Sequence, residues 1–432
     1  MAKIQTLAGE WFEPELPGRL LKIAGDIRDA GGRAFLVGGW VRDALLGKPC
    51  RDYDIEVYDM AQDALVPILS KYGRTNLVGK AFGVIHLAMK GLSLDFSFPR
   101  TESKVGYGHR GFVVHTDEKL SFKEAALRRD FTINAMGMEL PELTLCDPYG
   151  GIDDLKAHML RHVGPAFAED SLRILRGVQF ASRFGCTLAP ETVELCRTLS
   201  LDDLSIERLF EEFKKWLLKP GSPSLGLRAF LDIRLDGYFP EIRPFEGSWE
   251  TLGGILDRMA GLRDCSGLSE AQAMEFAFAA LLCGNPETSL SFLERITNEV
   301  HLLKVVPPLL QSFRALDTAI VHDAPALRRL AVKLGGLRLL CLLVKCAPDG
   351  FFGSSVSAGA DFAGELWQAA ASYGLLEAAP QPYLTGKMLM DLGVKPGKQM
   401  GEIIKRSFEL QLDGKIVDVA SAIEWARDNL GA

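Results

Sequence analysis

The 432-residue sequence contains no CxxC pair. Its eight cysteines, Cys50, Cys146, Cys186, Cys196, Cys265, Cys283, Cys341 and Cys346, are scattered along the chain. That scatter argues against a zinc site or a dithiol redox motif. In a chain of this length it also argues against a disulfide framework, and we expect a reducing, cytoplasmic setting. No basic segment followed by an apolar run opens the sequence, so no signal peptide is expected. No apolar stretch approaches the roughly 18 uninterrupted residues of a membrane-spanning helix, and no membrane partner is expected. The most apolar run, Leu337 to Cys346, is broken by Arg338 and Lys345 and reads as a core helix. An excess of positive charge is missing as well. The formal net charge is −7, so any nucleic-acid contact must come from local basic patches. There is no internal repeat and no low-complexity linker.

What remains is globular material: 47% hydrophobic and 24% charged residues, enough for sizeable cores. At roughly 100–200 residues per domain the length suggests two to four domains. The early part of the chain mixes strand and helix signals. Leu20 to Ala30 reads as a helix ended at Gly31-Gly32. Ala34 to Val37 reads as a short buried strand, and Val41 to Leu46 as a helix stopped by Gly47. Asp54 to Tyr58 alternates like a strand, and Gln62 to Tyr72 is helical. Val84 to Ala88 and Leu92 to Phe96 read as paired strands joined at Gly91, and the polar stretch Pro99 to Gly111 as a mobile loop. From Phe167 onward the strand signals vanish. Asp170 to Phe184, Glu191 to Leu199, Ile206 to Leu218 and Leu225 to Ile233 carry helical spacing. Helices then continue to the end, with breaks near Pro220-Gly221, Pro240, Asp349 to Gly353 and Ala379 to Pro382. The expected fold class is an α+β head, a mixed sheet with helices, followed by an all-α remainder.

Chemistry is densest between Gly38 and Glu56. Gly38 and Gly39 follow a strand and let backbone amides approach a phosphate closely. Arg42, one helical turn on, is suited to a triphosphate oxygen. Asp52 and Asp54 lie two apart at a strand start, so both carboxylates face one side. Two close carboxylates repel unless a cation sits between them. Magnesium takes a few carboxylates plus substrate phosphates, and Mg2+ is the expected cofactor. The bland alternative is a glycine turn before a solvated acidic strand.

This segment, Gly38-Gly39-Trp-Val-Arg42-Asp43 through Arg51-Asp52-Tyr-Asp54, resembles the catalytic motif of the DNA polymerase beta superfamily. Within it, the likeness is to the class II tRNA nucleotidyltransferase and bacterial poly(A) polymerase family. Four further segments resemble that family's motifs in the same order. The resemblance implies contacts to ribose and phosphate for Arg129, Asp130 and Asn134 in Arg128-Arg129-Asp130-Phe-Thr-Ile-Asn134, read as a helix start. It implies a structural, hinge-like turn at Asp147 to Asp154. In Glu169-Asp170-Ser-Leu-Arg173-Ile-Leu-Arg176, Asp170 and Arg173 sit three apart on an expected helix. The family uses these two residues to read the base of incoming CTP or ATP, rejecting others by leaving groups unpaired. Arg176 lies within reach of the phosphates. Where relatives commonly carry a further arginine, this chain has Gln179. Ser205 to Lys214 resembles the neck helix that orients Asp170 and Arg173. Asp95 is either a third acid near the metals or a salt-bridged strand residue.

The segment Gly79 to His86 carries one basic residue, Lys80, and so resembles the nucleotidyltransferase branch more than poly(A) polymerases. The full-length stretch Pro99 to Gly111 favours full CCA or terminal A addition over CC addition. Phe276 to Pro286 resembles a helix that in many relatives ends in His-Asp. Here Cys283-Gly284 stands there, and no phosphohydrolase activity is expected. Asp323 reads as a helix cap. Leu384 to Gly401 resembles the family's tail, and five basic against two acidic residues between Gly386 and Arg406 suit an RNA backbone through Lys387, Lys395 and Lys398. The bland alternative there is a solvated lysine surface.

The resemblance divides the chain into a nucleotidyltransferase head (1–160), a helical neck (161–235), a body like a degenerate HD region (236–375) and a tRNA-binding tail (376–432). It implies CCA addition, in whole or part, to the tRNA 3′ end by two-metal transfer, with contacts to the upper half of the tRNA. A partner enzyme follows if only C or A is added. The alternatives are a poly(A) polymerase and a non-catalytic RNA-binding protein.

Overall fold

The computed structural model describes residues 4–7, 9, 11–12, 16–78, 83–104, 112–348, 351–352 and 362–429. The chain forms two compact units. The first comprises Met1–Trp216 and Leu225–Leu235, the second Leu217–Ser224 and Asp236–Ala432.

In the first unit, β1 (Ile4–Gln5) and β2 (Trp11–Phe12) form an antiparallel pair. Then follow α1 (Gly18–Asp29), β3 (Arg33–Val37), α2 (Gly39–Leu45), β4 (Asp54–Tyr58), α3 (Gln62–Ser70), β5 (Arg74–Val78), β6 (Val84–Met89) and β7 (Leu92–Ser97). Next come β8 (Arg100–Lys104), β9 (Phe112–Thr116), α4 (Phe122–Ala126), β10 (Gly137–Leu140), β11 (Thr144–Cys146), α5 (Gly151–Lys156) and β12 (Met159–Leu160). The main sheet runs β11-β10-β3-β4-β7-β6-β5 and is antiparallel except for the parallel β4–β7 pair.

The alternation in β4 explains the layering. Ile55 and Val57 are fully buried on one face, where α1 and α3 bring Ile23, Ile27, Leu65 and Leu69. Asp54, Glu56 and Tyr58 point to the other. That second face is apolar at one end only. Phe35, Val37 and Tyr58 pack with Phe122 and Ala125 of α4, the Phe35 and Phe122 rings stacking at 5.0 Å. Gly137 makes room for this, since a Cβ there would lie 2.4 Å from the Phe122 ring. At the Asp54 end a cavity opens on this face.

The unit closes with α6 (Leu172–Phe184), β13 (Thr187–Leu188), α7 (Pro190–Arg197), α8 (Ile206–Leu218) and α9 (Pro223–Asp232). Several sequence expectations shift here. Pro99 to Gly111 is not a loop throughout. β8 pairs antiparallel with β9, and residues 105–111 lie outside the described ones. Strand structure does not end before Phe167, because β13 pairs parallel with β12. Helix α6 starts at Leu172, and Asp170 ahead of it is extended, at φ −129° and ψ 102°. Arg128 and Arg129 follow the end of α4 rather than opening a helix, and Thr132–Asn134 is a single 3-10 turn.

The second unit is helical among its described residues. It holds α10 (Leu235–Tyr238, which straddles the division), α11 (Trp249–Cys265), α12 (Glu270–Leu282), α13 (Ser289–Ile296), α14 (Val300–Arg314), α15 (Ala324–Leu334), α16 (Arg338–Cys346) and α17 (Phe362–Ser372). Helix α12 is apolar nearly all round, with Phe276, Phe278, Leu281 and Leu282 wholly buried, because α11, α14 and α16 surround it. The Asp323 carboxylate caps α15 by accepting the Ala326 N–H at 2.9 Å. Helices α18 (Gly386–Asp391), α19 (Lys398–Leu412) and α20 (Val419–Asn429) build a small core of their own around Leu384, Leu389, Met400 and Ala422. No described helix is long and apolar enough to cross a membrane.

Candidate active site

The cavity on the open face of the first unit measures about 520 Å³. Its floor is set by strand register. Asp54 of β4 stands beside Asp95 of β7, and Glu56 beside Ser97, and all four side chains line the cavity. Its walls are Arg128, Arg129, Asp170 and Arg173.

Asp54 reaches solvent, yet the walls withhold enough water to push its carboxyl upward. The neighbouring Asp52 pushes it further, as do Asp95 and Glu56, while Arg129 opposes them. Asp52 itself precedes the strand. Among the described residues no three His, Cys, Asp or Glu side chains converge as a closed metal cage. Crowded carboxylates short of a full cage, beside arginines, are the donor set a divalent cation takes when substrate phosphates complete its shell.

Asp95 has a partner. His86 Nδ1 lies 2.6 Å from its Oδ1, and Ser93 Oγ lies 3.0 Å from His86 Nε2. Sequence reading passed over His86. The β6–β7 register, which sets His86 opposite Asp95, was the signal that would have found it.

The arginine-rich turn is divided between cavity and interior. Gly38 adopts φ +69°, open to glycine, and a Cβ there would sit 3.1 Å from Arg129 Nη1. Arg129 therefore lies over the Gly38-Gly39 turn at the start of α2. Arg42, expected on a triphosphate, is buried instead. It pairs with Asp43 at 2.8 Å, lies over the Phe184 ring and donates to Asn134 Oδ1. Asn134 Nδ2 donates to Asp130 Oδ1 at 3.0 Å, and Arg176 pairs with Asp130 Oδ2 at 2.7 Å. Burial alone would raise Asp130, but Arg176, Asn134 and the Phe131 N–H together hold it below the ordinary aspartate value. One continuous buried chain, Arg42–Asn134–Asp130–Arg176, thus backs the cavity without lining it.

Asp170 and Arg173 both line the cavity but are not paired as helix neighbours. Arg208 of α8 donates to both Asp170 oxygens, at 3.0 and 2.8 Å. Arg173 donates to the Ala166 carbonyl at 2.6 Å and the Arg128 carbonyl at 2.7 Å. Each side chain is fixed from behind, with its remaining edge toward the cavity. Gln179 is buried within α6. Asp147 accepts the Gly151 and Ile152 N–H groups at 2.7 and 2.9 Å and so anchors the start of α5.

Other candidate residues lie elsewhere. Lys387, Lys395 and Lys398 are exposed on the second unit. Cys283 is buried, its thiol pushed far up by burial and donating to the Ala280 carbonyl. A Cβ at Gly284 would meet the Arg243 carbonyl at 2.3 Å. Of the segment Gly79 to His86, residues 79–82, Lys80 among them, lie outside the described ones.

Comparison with known proteins places these features. Residues 34–161 match the Poly A polymerase head domain. The multifunctional CCA protein of Xanthomonas campestris pv. campestris (strain B100) is 40% identical over 223 residues, which is 50% of this chain and 52% of that protein. That of Xylella fastidiosa (strain M12) is 41% identical over the same length, again 50% and 52% of the two chains. The matched stretch thus spans about half the length of these curated relatives. Among solved structures, the Thermotoga maritima CCA-adding enzyme complexed with tRNA is 20% identical and covers 96% of each chain, with a TM-score of 0.66. A CCA-adding enzyme in complex with ATP is 21% identical, with a TM-score of 0.70 over 96% of this chain and 95% of that one. Residues 34–161 are thus similar to the Poly A polymerase head domain, and the fold is that of the CCA-adding enzymes.

Proposed function

We propose that the protein is a tRNA nucleotidyltransferase that adds CCA, or part of it, to the tRNA 3′ end from CTP and ATP. The observation that carries this reading is the convergence of two kinds of group in one cavity. Asp54, Asp95 and Arg129 are suited to a metal-bound triphosphate, and Asp170 and Arg173 to the edge of a base. Both groups of relatives named above are CCA proteins by name, which supports the same reading.

Asp52 and Asp54 would hold magnesium, which when bound neutralises charge at the α-phosphate and favours the attacking 3′-oxygen. Arg129, above the Gly38-Gly39 turn, holds the β- and γ-phosphates with the amides at the start of α2. Asp130 and Asn134, which the resemblance assigns to the ribose, lie with Arg42 and Arg176 in the buried chain behind the cavity and stiffen its wall from within. The Asp170 carboxylate accepts from a base amino group, and the Arg173 guanidinium donates to a ring nitrogen or carbonyl. Because Arg208 and two backbone carbonyls fix both side chains, a base with the wrong edge leaves buried groups unpaired. Residues 161–235 act as neck, 236–375 as body and 376–432 as tail, with Lys387, Lys395 and Lys398 on tRNA phosphates.

The test is product length on a tRNA ending at the discriminator base, offered CTP alone, ATP alone and both. Growth by CCA with both nucleotides supports a complete enzyme. Arrest after CC, or a need for tRNA already ending in CC, gives a partial enzyme with a partner in the same cell. A long adenosine ladder would replace this reading with poly(A) synthesis, and no incorporation at all with a non-catalytic RNA-binding protein.

A further inference from the structure

We infer that Glu56, held by Tyr58, is a positioning residue that sets Arg129 for the nucleotide triphosphate. The inference rests on the function proposed above and deepens it.

Glu56 follows Asp54 by one strand period and so shares its face, but it stands deeper, with a side chain 13% exposed. A carboxylate there needs partners. Tyr58, one further period along, donates its hydroxyl to Glu56 Oε2 at 2.6 Å. The Tyr58 ring is locked, 1% exposed, edge-on to Phe35 at 5.1 Å and tilted against Phe122 at 6.1 Å. Glu56 is thereby fixed from the apolar end of the sheet face.

On its other side Glu56 Oε2 stands 3.9 Å from Arg129 Nη2. That separation exceeds a hydrogen bond, so the contact orients the guanidinium electrostatically without occupying an N–H. Of the arginines lining the cavity, Arg128 donates to the Arg100 carbonyl and Arg173 to two carbonyls. The Arg129 guanidinium, by contrast, donates no hydrogen bond among the described residues and meets only Glu56. Its guanidinium is bracketed by Gly38 below and Glu56 behind, with its donors directed to the cavity. A carboxylate in a triphosphate pocket would repel the substrate if unpaired. Paired with Arg129 and turned toward Tyr58, it aims the cation instead.

The experiment is a double-mutant cycle between Glu56→Gln and Arg129→Ala in the full-length protein. It is read by steady-state CTP and ATP addition to tRNA, and by calorimetric binding of a non-hydrolysable CTP analogue. Glu56→Gln should raise KM for both nucleotides about tenfold with kcat within about twofold, the signature of lost uniform binding. Tyr58→Phe should act in the same direction by about threefold, since the hydroxyl holds Glu56 only. In the Arg129→Ala background, Glu56→Gln should add less than about twofold, in KM and in analogue affinity alike. Independent, multiplying effects would overturn the inference, as would a fall in kcat at unchanged KM. A wild-type protein that binds the analogue yet extends no tRNA would defeat the proposed function, while the coupling would still be legible in the binding data.

Discussion

The two units bury different things. Around α12 the second unit buries Phe276, Phe278, Leu281 and Leu282 without a polar atom among them, and Glu275 at its edge is met by His301 at 3.0 Å. The first unit buries Arg42, Asp43, Asp130, Asn134 and Asp154 beside its sheet. Apolar packing is the stronger source of stability per residue, whereas buried ion pairs roughly break even and are retained where geometry must be unique. Rigidity behind the cavity is therefore bought with charge, and rigidity around α12 comes chiefly from packing. Substitutions in the first region should disturb chemistry, and those in the second only folding.

The sharpest test of this contrast is Asp54→Ala. Incorporation of labelled nucleotide into tRNA should fall by about 10³-fold or more, since several kcal/mol of charge stabilisation is lost. Thermal stability should hold or rise slightly, because burial and Asp52 already disfavour the ionised Asp54 carboxyl in the folded state. A large drop in melting temperature would break the contrast. Next in size, Phe278→Ala should cost about 4 kcal/mol by denaturant titration and leave nucleotide KM unchanged. Asp130→Asn should cost about 3 kcal/mol at neutral pH, because Arg176 loses its buried partner. Asp130 titrates below the ordinary value of 3.8, so its contribution is complete above that pH and fades as pH falls through the lower folded value. The gap between wild type and Asp130→Asn should narrow in that acid window, and a gap constant to pH 3 or below would refute the assignment. Smallest, Gly137→Ala should cost about 2 kcal/mol through displacement of the Phe122 ring, with loosening of Tyr58 seen as a shifted tyrosine fluorescence.

What was legible in the sequence was local. The glycine turn at the start of α2 and the strand beginning at Asp54 could be read because turn conformation and strand period act over a few residues, whereas Asp52 precedes that strand. Helix α8 and strand β4 match their expected bounds for the same reason. Pairings across long separations could not be read. Arg208 lies 38 residues from Asp170, and nothing in the helical spacing of Asp170 and Arg173 reveals that each is held by another segment. Arg42 has the composition of a phosphate ligand, and only tertiary packing turns it inward. The Arg-Thr-Glu-Ser-Lys run of β8 is polar throughout, so alternation gave no signal, and its strand form comes from pairing with β9. Glu56 was in view, inside the densest motif, but its meaning depends on Tyr58 and Arg129.

The one parallel pairing in the main sheet has a consequence for biosynthesis. Asp54 and Asp95 stand side by side only because β4 and β7 run in the same direction, and such strands cannot be joined by a tight turn. The chain must first emerge through α3, β5 and β6, about forty residues beyond Asp54, before the second carboxylate arrives. A nascent or truncated chain ending short of β7 carries the glycine turn and the aspartate pair but not the assembled acidic floor. The synthesis order thus keeps a half-made protein from presenting this floor, which is complete only once the sheet has closed.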